Sequence, residues 1–213
     1  MQVENISEKF SIKIKATFIK SNFSLSSMEG VVFFDIDTQH DYMSSSYASY
    51  ILGAESIIPN LEKITRFAKE NKVRVIASVD KNKQKFSDFK NKKIKETMLW
   101  NFTAVKNEDM QNNADELLNS NIIVEKDSYS VFQNSNLKFL ISGTRKAYVY
   151  GVATEFCVKA AVVGLLESGI ETHIIVDAIK GVSIEDEKNT MEFLKSRGAK
   201  FLTTEQLLST QSF

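Results

Sequence analysis

Cysteine occurs once in the 213 residues, as Cys157 within YVYGVATEFCVKAA. A lone thiol cannot close an internal disulfide, so either packing or chemistry accounts for it. Two further residues have types that would equip the thiol as a nucleophile: Asp37 in FFDIDTQHDY and Lys126 in IIVEKDSYSVF. A carboxylate can take a thiol proton and return it to a departing amine, and a neighbouring ammonium favours the thiolate. Carboxylate, ammonium and thiol together suit attack on a carbonyl carbon. Taken singly, each has a plain alternative: Asp37 as a helix cap, Lys126 as a solvated charge, Cys157 as a small hydrophobe.

A parallel sheet would bring residues so distant in sequence to one place. Short β-branched or aromatic runs at 31–36, 73–79, 122–124, 147–152, 172–176 and 199–202 read as strands, and longer amphipathic stretches separate them. Most of these runs are continuously apolar, as strands covered by helices on both faces should be. Helices are expected at 59–71, 137–142, 155–168 and 185–197. The first places Leu61, Ile64, Phe67 and Ala68 on one face, the third buries Val158, Ala161, Val162 and Leu165, and Gly198 suits the C-terminal cap of the last. The alternation predicts a single-domain α/β sandwich of three layers, with a mainly parallel, Rossmann-like sheet of about six strands.

In such a sheet ligands bind beyond the carboxyl ends of the strands. Asp37 follows the first strand, Lys126 the third and Cys157 the fourth. Cys157 would stand in the first turn of a helix, where the dipole and free amides lower a thiol pKa, and Lys126 would lower it further. The amides of Ala153 and Cys157 would converge on a developing oxyanion.

Two stretches break the rhythm. Residues 1–30 form an N-terminal extension in which Phe10, Ile12, Ile14 and Ala16 alternate with polar residues, the pattern of an extra strand, ahead of a domain spanning 31–213. Residues 80–111, rich in Lys and Asn, read as a long functional loop or an excursion over the active face.

Lys plus Arg number 27 and so do Asp plus Glu, leaving no net field to favour nucleic acid or an anionic membrane. No apolar run approaches the roughly 20 residues that span a bilayer. The expectation is a cytoplasmic protein with a small-molecule partner.

Taken in order, these segments resemble the isochorismatase-like cysteine hydrolases, nearest their nicotinamidase branch, over roughly residues 31–207. The family signature after the first strand, hydrophobic-Asp-x-Gln-x-Asp-aromatic, reads here Ile36, Asp37, Thr38, Gln39, His40, Asp41, Tyr42. The family lysine and its aromatic-Ser-x-Phe element match Lys126, Tyr129, Ser130 and Phe132, and GVATEFCVKA matches the nucleophile turn. The resemblance implies Asp37, Lys126 and Cys157 as catalytic residues and a cis peptide between Val152 and Ala153 beside the oxyanion hole. It implies a thioester route for cleaving a small amide, and Tyr42 and Trp100 as aromatic walls around a planar substrate. The bland alternative for Tyr42 and Trp100 is packing beneath the 80–111 loop.

The resemblance is incomplete where that branch binds a divalent metal through an Asp and several His. Only two His are present; the Asp-x-His position reads Asp80, Lys81, Asn82, and the later His positions fall on Asp88 and Thr103. A zinc or iron site built on imidazole is not expected. Asp80, Asn82 and Asp88 remain as oxygen donors for a hard cation, against the alternative of a solvated polar loop. His40 occupies a variable position, and His173 reads as a structural imidazole inside a strand.

Carbamoyl compounds or isochorismate are alternative substrates within the family, and a non-catalytic binding module that keeps the fold is an alternative from another class. A redox sensor lacks the second Cys that would resolve a sulfenic acid. Family members often associate, which makes a homo-oligomer an expectation.

Overall fold

Strand β1 (Val31–Ile36) opens the described part of the chain and occupies the middle of the sheet. The computed structural model describes residues 28–80, 103–105 and 122–210. After β1 come α1 (His40–Met43), a 3-10 turn (Ala54–Ile57), α2 (Ile58–Glu70), β2 (Arg74–Asp80), β3 (Thr103–Val105), β4 (Ile122–Lys126) and a second 3-10 turn (Val131–Gln133). They are followed by α3 (Leu137–Leu140), β5 (Lys146–Val152), a π turn (Thr154–Val158), α4 (Lys159–Glu167), β6 (Glu171–Lys180), α5 (Ile184–Ser196), β7 (Lys200–Leu202) and α6 (Thr204–Ser209).

The strands form one sheet in the order β3-β4-β2-β1-β5-β6-β7, and every neighbouring pair is parallel. The sheet has seven strands where about six were expected, within the expected architecture. The additional strand, β3, falls inside the stretch 80–111 read as a connection, because three residues are too few to display a periodic pattern. The alternating segment Phe10 to Ala16 lies outside the described residues.

Alternate residues of β1 serve opposite cores, as the twofold repeat of a strand requires. Val32, Phe34 and Ile36 join Val149 and Ile174 under Ala161, Val162 and Leu165 of α4 and Leu194 of α5. Phe33 joins Val75, Tyr148 and Tyr150 under Ile64, Phe67 and Ala68 of α2 and Leu207 of α6. Phe132 packs on the first core, and its ring lies over Gly164, where an added Cβ would come within 2.3 Å of it. Helix α5 is N-capped by Ser183, whose hydroxyl accepts from the Asp186 amide, and Gly198, with φ +97°, follows its C-cap Arg197. Among the described residues no helix is long and apolar enough to cross a membrane.

From β1 the sheet runs through β2, β4 and β3 in one direction and through β5, β6 and β7 in the other. The reversal opens a crevice between the carboxyl ends of β1 and β5. Backbones approach closely there: Ile36 pairs with Gly151, whose φ is +114°, and a Cβ at Gly151 would lie 2.1 Å from the Ile36 carbonyl oxygen. Only glycine fits that position.

Candidate active site

At the end of β1 the chain turns through Asp37, which has φ +52°, a left-handed conformation that Asp tolerates better than most residues. The turn is fastened on both sides. Thr38 Oγ1 donates to Asp35 Oδ1 at 2.8 Å, and the Asp37 amide donates to the Ser78 carbonyl on β2 at 3.2 Å. The Asp37 carboxylate is thereby turned into the protein, where it is fully buried and accepts from Ser78 Oγ at 2.7 Å.

Lys126, the last residue of β4, reaches the same point from the other side of β2. Its Nζ forms an ion pair with Asp37 Oδ2 at 2.6 Å and donates to the Ser128 carbonyl at 3.0 Å and to Cys157 Sγ at 3.4 Å. An ammonium has three protons, and here three partners surround it. Burial acts to lower the Lys126 pKa, but the Asp37 carboxylate and the Cys157 sulfur outweigh it and hold the group above its ordinary value.

Cys157 arrives from β5. The expected helix start at 155 is a π turn, in which the Ala153 carbonyl accepts from the amides of Phe156 and Val158, both at 3.1 Å. The Val152–Ala153 peptide bond is cis. Cys157 is 9% exposed, and Ala153 is buried. The expectation of a lowered thiol pKa is corrected: burial first, and the Asp37 carboxylate second, push it up to about 12, with Lys126 opposing them. The lysine's charge is already answered by Asp37, so little of it is left to favour a thiolate.

The rim beside this cluster is built by the DTQHDY segment. Gln39 brackets the backbone of Asp80, its Oε1 accepting from the Asp80 amide at 2.8 Å and its Nε2 donating to the Asp80 carbonyl at 3.4 Å. That bond pair ties the ends of β1 and β2 together. Tyr42 packs beside Val152 and Ala153 and donates its hydroxyl to Asp80 Oδ2 at 3.0 Å. Burial, then Asp80, raise the Tyr42 pKa, and Asp37 and Cys157 both contribute, which places the ring beside the cluster. Trp100, Asn82 and Asp88 lie outside the described residues.

The donor set does not fit a metal held by imidazole. His40 sits on α1, and His173 contacts Glu171 at 2.7 Å near the amino end of the sheet, far along β6 from the crevice. Among the described residues no group of three His, Cys, Asp or Glu could hold an ion.

Three contributors escaped the sequence reading: Ser78, Asp35 and Gln39, the last noticed only as a signature residue. A serine inside the apolar run RVIASVD and an aspartate inside VVFFDI were the available signals, since a polar residue at a buried strand position needs a partner.

An isochorismatase domain model matches residues 31–206. Isochorismatase family protein 1B of Dictyostelium discoideum is 29% identical over 93 residues, covering 42% of this chain and 45% of that protein. The match thus spans less than half the length of this curated relative. Among solved structures, the pyrazinamidase of Pyrococcus horikoshii in complex with zinc aligns at 24% identity and TM-score 0.60, covering 82% of this chain and 99% of that one. The nicotinamidase of Staphylococcus aureus aligns at 14% identity and TM-score 0.63 over the same shares. At such identities the two structures speak for the fold. With a family model matching residues 31–206, most of its length, the chain belongs to the isochorismatase-like hydrolase family.

Proposed function

We propose that this protein is a cysteine hydrolase that cleaves the C–N bond of a small amide through a thioester on Cys157. The observation that carries the proposal is the buried Lys126 ammonium, 2.6 Å from Asp37 Oδ2 and 3.4 Å from Cys157 Sγ.

A thiol pushed up to about 12 is protonated at rest, so attack needs a base in contact with the cluster. Asp37 takes the Sγ proton as the sulfur bonds to the substrate's carbonyl carbon. The carbonyl electron pair moves onto oxygen, which the amides of Ala153 and Cys157 receive. As the carbonyl re-forms, the C–N bond breaks and Asp37 returns the proton to the leaving ammonia or amine. Water then gives a proton to Asp37 and attacks the thioester, the C–S bond breaks, and the acid leaves while the sulfur regains its proton. Lys126 stays charged throughout, holding Asp37 and Cys157 in register. Tyr42 lines the approach, and its ring suits a planar substrate. Nicotinamide is the first compound to test, followed by other amides and carbamoyl compounds.

The test is ammonia release across an amide panel, with and without a chelator, for the wild type and Cys157→Ala. Release from at least one amide by the wild type and none by the variant, at unchanged circular dichroism, is expected. Turnover that survives Cys157→Ala removes the proposal.

A further inference from the structure

The turn that carries Cys157 is fastened from outside the sheet by two carboxylates. Glu155, two residues before the cysteine, accepts through Oε1 from the amides of Val182 at 2.8 Å and Ser183 at 3.1 Å. Glu187, in the first turn of α5, accepts through Oε2 from the Gly181 amide and from the buried Thr154 hydroxyl, the latter at 3.2 Å. In the link from β6 to α5, Val182 and Ser183 are thus bonded to Glu155 directly, and Gly181 is joined to Thr154 through Glu187. The space between is fully used. A Cβ on Gly181 would stand 2.8 Å from Glu155 Oε2 and 2.9 Å from Glu187 Oε2, so both carboxylates close on the same point.

This arrangement is a poor way to close a loop for stability alone. Glu155 Oε2 is buried without a hydrogen-bond partner, and an unsatisfied buried oxygen is destabilising. The cap that α5 needs is already supplied by Ser183. What the two carboxylates add is a second set of fixings on the residues flanking the sulfur. Among the described residues, beyond the β5–β6 ladder, which ends at the Val152 to Lys180 pairing, these bonds tie this turn to the next loop and to α5.

We infer that Glu155 and Glu187 are positioning residues that keep the 153–157 turn aligned, so that its amides and the Cys157 sulfur meet the substrate carbonyl together. The inference rests on the cysteine-hydrolase proposal above, because only a turn that donates to a reacting oxygen needs such alignment.

The experiment compares the full chain with Glu155→Ala and Glu155→Gln. A glutamine keeps an acceptor for Val182 and Ser183 and sets an amide group beside Glu187, whereas alanine removes the fixing. On the amide turned over by the wild type, Glu155→Ala is expected to lower kcat by about 10- to 100-fold, less than the full loss of an oxyanion donor, with KM within about twofold. Glu155→Gln is expected to recover most of kcat. Amide hydrogen exchange at residues 153–158 should quicken in the alanine variant and stay near wild type in the glutamine variant. If Glu155→Ala does not fold, Glu155→Asp, which keeps the charge and shortens the reach, is read in its place with the same losses expected. Wild-type kcat and exchange in the alanine or aspartate variant, or equal losses in alanine and glutamine variants, overturn the inference. If the wild type hydrolyses no amide, the cysteine-hydrolase proposal fails, and unchanged exchange at 153–158 separately overturns the positioning role.

Discussion

Lysine meets carboxylate at both ends of the sheet, with opposite consequences. Near the amino end, Glu171 is ringed by His173 at 2.7 Å, Lys200 at 3.0 Å and Lys146 at 3.3 Å, and its side chain is 40% exposed. The hydrogen bond from His173, then those from Lys200 and Lys146, hold its carboxyl down at about 2. At the carboxyl end, Lys126 and Asp37 approach to 2.6 Å with side chains 2% and 1% exposed. Water screens the first cluster and is largely excluded from the second in the resting protein. Many contacts at the surface therefore add little, whereas a single buried pair acts, after burial itself, on a third group, the Cys157 thiol. Exposure, more than the number of partners, separates the surface ion cluster from the buried one.

The comparison is tested most severely by Asp37→Asn. On the proposed mechanism, loss of its base should reduce amide turnover by about 10²- to 10⁴-fold. The same change removes a carboxylate that raises the thiol pKa and frees Lys126 to lower it, so iodoacetamide should alkylate Cys157 faster than in the wild type at about pH 8. Slower alkylation would mean that the carboxylate does not govern the sulfur.

Lys126→Met leaves Asp37 buried without its cation and is expected to cost about 3–5 kcal/mol in urea unfolding. A loss below about 1 kcal/mol would place the pair in the same class as the exposed cluster.

Asp35 sharpens the contrast, because it is buried on β1 with no cation among the described residues that act on it. Burial first, and Asp37 as a lesser cause, push its carboxyl up to about 7, against a hydrogen bond from Thr38 that lowers it. The folded state then holds the proton more tightly than the unfolded chain. Stability is complete below the ordinary value of 3.8 and is lost as pH rises through about 7. Asp35→Asn cannot ionise and keeps an acceptor for Thr38. Its Tm should match the wild type near about pH 4 and exceed it near about pH 8, each kcal/mol gained being worth about 2–4 °C in a chain of this size. Equal Tm values at both pH values would show that the carboxyl finds an ionised partner.

The smallest effect is expected at Glu171→Gln. Its folded carboxyl lies below the ordinary 4.5, so the stability it contributes is present above that value and fades as pH falls towards about 2. Because the site is exposed, the loss at neutral pH should be about 0.2–1 kcal/mol, and it should shrink between about 0.1 M and about 1 M salt. A larger, salt-independent loss would contradict the role given to screening.

Which parts of the molecule were legible in advance follows from how local their causes are. The strands at 31–36, 73–79 and 147–152 and the buried face of α2 were written in runs of adjacent residues, because burial on a strand or helix leaves a periodic trace. Asp37, Lys126 and Cys157 stood out for the same reason, each being a reactive type at the end of such a run. The strand β3 left no trace, being three residues long within a polar stretch.

By itself the sequence determined the alternation of strands and helices, the side of the sheet on which reactive groups collect, and the family pattern those groups resemble. Only the tertiary structure decided how they act on one another. Ser78 reaches Asp37 across 41 residues of sequence and Lys126 reaches Cys157 across 31, and the burial that raises the thiol comes from walls supplied by several elements at once. Ionisation answers to every charge and every excluded water nearby, wherever in the chain they originate, so it cannot be read along a single strand.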